Sequence, residues 1–207
     1  MDKFDLAMRD MPLVAVLRGI SPEEIIPVAD GLMAAGFRLI EVPLNSPRAF
    51  DSIEALVAHC PADVLTGAGT VLNVAEVRRL AQTGARLMVT PNTDPDVIRA
   101  GMTAGLVPVI GCLTPSEALS AVANGARALK IFPASRMGAD YLKDIRAVLP
   151  EGTKLLPVGG INAQSMPAFH ATGADGFGFG TNLYKPGMSA DEVASNALHL
   201  VQTWRAL

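Results

Sequence analysis

Two charged residues stand where the surrounding sequence leaves little room for charge. Lys130 lies inside the apolar run GARALKIFPAS (125–135), and Glu41 lies inside LIEVPLN (39–45). Taking an ammonium or a carboxylate out of water costs several kcal/mol, roughly, unless the group is paired, neutralised or put to chemical use. A desolvated lysine has a lowered pKa, and its characteristic reaction as a free amine is attack on a carbonyl carbon to form a Schiff base. A neighbouring carboxylate can carry the protons that each imine step moves. The same two residues could instead be a buried ion pair with no chemical role, an arrangement that barrels do contain. The remaining lysines, Lys3, Lys143, Lys154 and Lys185, fall at the terminus, on a helix, at a strand entry and in a loop, all ordinary solvated settings.

Strand side chains alternate between faces, so Lys130 shares a face with Ala128 and Phe132, while Leu129 and Ile131 share the other. In LIEVPLN the same alternation groups Glu41 with Pro43 and Asn45. Branched aliphatics suit the side that packs on helices, so both charges are expected to face the inside of a sheet closed on itself. Glu41 follows Gly36 by five residues and Lys130 follows Gly125 by five, and if those glycines mark equivalent helix ends, the two side chains enter at similar heights.

The elements that must hold them recur along the chain. Eight short apolar runs, at 13–19, 39–44, 64–72, 87–92, 107–112, 128–133, 154–160 and 176–182, alternate with amphipathic stretches of helical length, the pattern of parallel strands joined by crossover helices. Gly36, Gly84, Gly105, Gly125 and Gly173 each sit shortly before a strand and are expected to be left-handed helix ends. SPEE (21–24), SPRAF (46–50), TDPDV (93–97) and TPSEA (114–118) read as helix starts. Eight such units close as a (β/α)8 TIM barrel with a short N-terminal helix over its floor and a helix at the C-terminal end. An open doubly wound sheet is the alternative, but LRGIS after the first strand lacks its glycine fingerprint. The 207 residues, half of them apolar, fit one domain spanning 1–207.

A net charge of −3 with no basic run removes the footprint expected of a nucleic-acid or polybasic membrane binder. No apolar stretch approaches the ~18–20 residues of a membrane span, and MDKFDLAMRDM, which interleaves acids with bases, is not expected to act as a signal peptide. With only Cys60 and Cys112 as thiols, both expected to be buried, a cytoplasmic setting is consistent. His59, His170 and His199 fall on expected helices without zinc-type spacing, so no metal or cofactor is expected.

Strands seven and eight end in PVGGI and GFGFGTN. Glycine there lets backbone N–H groups approach an anion closely, which makes Gly159, Gly160, Gly180 and Thr181 candidate phosphate ligands. Those glycines could also merely fit a tapering barrel. At the rim, Thr70 in GAGTVL could hydrogen-bond a substrate carboxylate or cap the next helix. Arg18 in VLRGI could bind that carboxylate or form a surface salt bridge, and Pro91 in VTPN stands at the rim after the fourth strand.

LIEVPLNSP, GAGTVL, VTPN, ALKIFPAS and LPVGGI, in this order and over nearly the whole chain, resemble the class I aldolases that act on 2-dehydro-3-deoxy-6-phospho sugar acids. The resemblance implies a barrel, usually trimeric, with Lys130 as the Schiff-base lysine and Glu41 as general acid/base. It also implies small-molecule partners, a phosphosugar acid and pyruvate, with Pro91 and Phe132 walling the pyruvyl end. Asn45 stands where the gluconate branch carries arginine, and Val158 where that branch carries threonine. Together with LRGI these positions resemble the galactonate branch, in which Arg18 would serve the substrate. Activity on the gluconate epimer, or on both, is the alternative within the family. A barrel isomerase or epimerase and a non-catalytic phosphosugar-binding module are more distant ones.

Overall fold

The computed structural model describes residues 2–207. Its strands are β1 (Leu13–Val16), β2 (Leu39–Pro43), β3 (Leu65–Gly69), β4 (Leu87–Val89), β5 (Val107–Cys112), β6 (Ala128–Ile131), β7 (Leu155–Pro157) and β8 (Phe177–Phe179). Between and around them run α1 (Lys3–Asp10), α2 (Ile25–Ala35), α3 (Ala49–His59), α4 (Val74–Gln82), α5 (Pro95–Thr103), α6 (Pro115–Ala123), α7 (Ala134–Met137), α8 (Ala139–Arg146), α9 (Met166–Ala171) and α10 (Ala190–Arg205). All neighbouring strands pair in parallel in the order β7-β6-β5-β4-β3-β2-β1-β8, and a Val158–Gly178 bridge joins the two ends. The sheet is therefore a closed (β/α)8 barrel.

The alternation of side chains separates two apolar layers. Leu129 and Ile131 of β6 and Ile40 and Val42 of β2 pack outward into the large core shared with the helices. Inside the barrel, Val14, Leu39, Leu65, Leu87, Val109, Ala128 and Leu156 form a second cluster, and Phe4 and Ala7 of α1 plug it from below. The floor helix thus adds Phe4 and Ala7 to an inner layer that the strands themselves supply.

Gly36, Gly84, Gly105, Gly125 and Gly173 all have positive φ at helix ends. TPSEA and TDPDV start helices as expected, the first with a capping box between Thr114 and Glu117, the second with Asp94 accepting from the backbone of Asp96 and Val97. SPEE and SPRAF behave differently. The helix after SPEE begins only at Ile25, and the side chain of Glu24 accepts from the Ser21 N–H instead. The helix that starts within SPRAF begins at Ala49 with Arg48 at its uncapped end, and the Ser46 hydroxyl accepts from the Gly19 N–H at 2.9 Å. The thiols are free, with Cys112 buried and Cys60 only half-buried. Among the described residues no helix is long and apolar enough to cross a membrane.

If Phe4 seals the floor, Phe4→Ala should lower unfolding stability by about 3 kcal/mol through the cavity it leaves. Urea denaturation measures this, and an unchanged midpoint would mean that α1 is an ornament rather than a plug.

Candidate active site

Above the apolar floor the barrel interior changes character. Glu41 and Lys130 project into it, 1 % and 4 % exposed, among interior positions held by glycine on three other strands: Gly67 and Gly69 on β3, Gly111 on β5 and Gly178 on β8. These glycines are required by space. A Cβ on Gly69 would lie 1.5 Å from Glu41 Oε2, and one on Gly67 would lie 1.7 Å from the Leu87 carbonyl oxygen. A Cβ on Gly111, the register partner of Lys130, would lie 2.3 Å from the Pro91 carbonyl carbon. Gly69 therefore makes the hollow in which the carboxyl group of Glu41 stands, while Gly67 lets β4 approach closely.

No ion pair joins Lys130 to Glu41 among the described residues, and Glu41 Oε2 is buried without a hydrogen-bond partner. The simple buried ion pair is not what the barrel holds. Burial pushes the Lys130 pKa down and the Glu41 pKa up, each toward the uncharged form. Their mutual attraction opposes both shifts, and the positive charge of Arg18 lowers both values. A buried amine in this state is a nucleophile for a carbonyl carbon, and a carboxyl group with an unused oxygen is equipped to give or take a proton. The Lys130 amine lies 5.3 Å from the centre of the Phe132 ring, which at 37 % exposure faces the open end of the barrel.

Arg18, just beyond β1, reaches across to donate to Asn45 Oδ1 and, at 3.4 Å, to Thr70 Oγ1. Asn45 and Thr70 are thus brought together through Arg18, which forms no surface salt bridge among the described residues. Thr70 does not cap α4, a task taken by Asn73, whose side chain accepts from the Glu76 N–H. Thr70 has φ +56°, a left-handed conformation rare for a β-branched residue. That turn aims its hydroxyl at the guanidinium.

Next to β1 around the rim, at the ends of β7 and β8, Gly159 and Gly160 have positive φ, and a Cβ on Gly160 would lie 2.2 Å from Ser135 Oγ. Space around Gly180 is open. The N–H groups of Gly160 and Thr181 have no intramolecular acceptor among the described residues. Asn182 Nδ2 donates to the Ile161 carbonyl at 2.8 Å, tying the loop after β8 to the loop after β7. Ser135 and Asn182 were not singled out by the sequence reading, although FPAS and GTN contain them. Their signal is contact across loops, which spacing does not display. Val158 points inward, its Cγ2 2.7 Å from where a Cβ on Gly178 would be. Among the described residues no group of His, Cys, Asp or Glu side chains is placed to hold a metal ion.

The profile of KDPG and KHG aldolases matches residues 4–196. The chain belongs to the KDPG and KHG aldolase family. It is 47 % identical to a probable 2-dehydro-3-deoxy-6-phosphogalactonate aldolase of Rhizobium meliloti (strain 1021), over 100 % of this chain and 98 % of that one. It is 40 % identical to the 2-dehydro-3-deoxy-6-phosphogalactonate aldolase of Escherichia coli (strain K12), over 94 % and 95 %. A solved structure described as native KDPGal superposes with a TM-score of 0.93 at 40 % identity, covering 95 % of both chains. Family members named for the phosphogluconate substrate match at 30–32 % identity over 73–79 % of this chain.

Because the Lys130 pKa is depressed, the unfolded chain binds that proton more readily than the folded one. Stability is lost on this account as the pH falls from the ordinary lysine value of 10.5 toward the depressed one. Lys130→Met, which keeps a similar shape, should therefore raise the melting temperature at pH 7. The gain should shrink as the pH approaches 10.5, and thermal unfolding of both proteins across this range measures it. A variant less stable than the parent at neutral pH would contradict a desolvated amine.

Proposed function

We propose that the chain is a class I, Schiff-base aldolase that cleaves 2-dehydro-3-deoxy-6-phosphogalactonate to pyruvate and D-glyceraldehyde 3-phosphate. The observation that carries this reading is the desolvated Lys130 amine beside a Glu41 carboxyl whose Oε2 has no protein partner, in a chain of this aldolase family. The names of the galactonate relatives and their higher identity support the choice of substrate.

The free amine of Lys130 adds to the C2 ketone, and Glu41 supplies the proton with which the carbinolamine oxygen leaves as water. The iminium so formed withdraws electrons from C3. Glu41, now a carboxylate, takes the proton of the C4 hydroxyl, the C3–C4 bond breaks, and D-glyceraldehyde 3-phosphate departs. Its bonding electrons remain as the enamine of pyruvate. Glu41 returns the proton to C3, and water hydrolyses the iminium to free pyruvate and the amine. A buried pair that leans toward its uncharged forms suits both opening steps, since the amine must be free to attack and the carboxyl must hold a proton to give.

Arg18 and Thr70 bind the substrate carboxylate in this reading, Asn45 orients Arg18, and Phe132 and Pro91 wall the pyruvyl end. The backbone of Gly159, Gly160, Gly180 and Thr181 binds the phosphate, with the Ser135 hydroxyl close by. Val158 presents methyl groups toward C4, the centre at which the galactonate and gluconate substrates differ. We read 1–207 as one catalytic domain that needs no metal or cofactor and works in the cytoplasm as a homotrimer, the assembly implied by the family resemblance.

Borohydride with pyruvate should attach a reduced pyruvyl group to Lys130 in the peptide containing ALKIFPAS, as read by mass spectrometry. Lys130→Ala should fold, escape labelling and lose activity to below about a thousandth. An unlabelled but active wild type would overturn the covalent mechanism. The wild type should favour the galactonate over the gluconate substrate in coupled pyruvate assays. Val158→Thr, which adds one hydroxyl, should move that ratio toward gluconate by about tenfold, and an unmoved ratio would remove Val158 from the specificity argument.

A further inference from the structure

A cavity of about 280 Å³ opens at the rim between the ends of β1 and β8, lined by Val16, Arg18, Gly180, Thr181, Tyr184 and Lys185 among others. Val16 is the register partner of Glu41, so the cavity extends from the rim down to the backbone level of Glu41 on the neighbouring strand. It therefore adjoins the strand from which Glu41 projects.

Two cations line this cavity, and their situations differ. Arg18 is already engaged by Asn45 and Thr70. Lys185 is exposed and has no carboxylate within ion-pair distance among the described residues. Its backbone is nevertheless held in place on both sides. Tyr184 is buried, with its N–H donating to the Gly180 carbonyl at 2.9 Å. Pro186 packs so closely on Gly19 that a Cβ there would lie 2.8 Å from Pro186 Cγ. The Lys185 carbonyl accepts from the Met188 N–H at 3.1 Å. A lysine anchored on either side, yet with a free ammonium, stands beside Gly180 and Thr181, which offer neutral donors only.

Resting on the reaction proposed above, we propose that Lys185 is the cation that pairs with the substrate phosphate. A phosphate carrying close to two negative charges gains orientation from backbone N–H groups, but a full positive charge offsets its own. Lysine on a flexible stem fits this task, because it acts as a point charge and follows the phosphate without demanding a fixed geometry. Arg18 is left to the carboxylate, so the two anionic ends of the substrate are sorted by two separate cations on one cavity wall.

The test uses the full chain, with 2-dehydro-3-deoxy-6-phosphogalactonate and its unphosphorylated counterpart as substrates in pyruvate-release assays. Lys185→Met, which retains the aliphatic stem, should raise KM for the phosphorylated substrate by about tenfold or more, with kcat within about twofold. It should leave kcat/KM for the unphosphorylated acid within about twofold. Lys185→Arg should restore KM to within about threefold of the wild type. An unchanged KM in Lys185→Met, or an equal loss on both substrates, would overturn the proposal. A wild type that releases no pyruvate from either acid would instead refute the proposed reaction, and this inference with it.

Discussion

The structure depends on keeping an amine and a carboxyl group dry at the same time without letting them collapse onto each other. A contact ion pair would satisfy both groups, but it would leave the lysine protonated and therefore inert toward a ketone. Full burial of each group alone would cost several kcal/mol, roughly, if it stayed charged. The barrel takes a middle course. Glu41 and Lys130 sit close enough for each to influence the ionisation of the other, yet no ion pair forms and one carboxyl oxygen stays unpartnered. Both groups are pushed toward their uncharged forms, which are the forms that imine chemistry consumes first.

That arrangement explains an otherwise wasteful feature of the interior. Gly67, Gly69, Gly111 and Gly178 place no side chains in the layer that holds the two charged residues, while the layer below is filled by Leu, Val and the Phe4 plug. The lower layer supplies the apolar packing that stabilises the barrel. Emptiness in the upper layer gives up some of that packing to gain a chamber. The strained backbone is found at the same level, with left-handed Thr70 turning its hydroxyl to Arg18. Stability and reaction space are separated along the barrel axis.

The rim divides by charge and by donor type. Arg18, tethered by Asn45 and Thr70, occupies the side next to the Glu41 carboxyl. The glycine-rich ends of β7 and β8 adjoin it, where the N–H groups of Gly160 and Thr181 have no intramolecular acceptor among the described residues. Asn182 couples these two loops through a single amide, so the ends of β7 and β8 form one surface assembled from separate strands.

Much of this was legible in the amino-acid order. Period-two alternation assigned Lys130 and Glu41 to the inward face, and glycine before each strand marked helix ends that do take positive φ. Both follow from local backbone geometry, which acts over a few residues and so leaves its mark in spacing. Local chemistry also has competing uses, and there the reading went astray. Ser46 reads as a helix cap and in fact accepts from Gly19, while Thr70, readable as a cap or a site residue, joins Arg18. Ser135 beside Gly160, Asn182 beside Ile161, and the distance kept between Lys130 and Glu41 could be known only from the fold. Each depends on which loops meet when the barrel closes, and closure is set by packing and register among strands far apart in the chain, which no local pattern records.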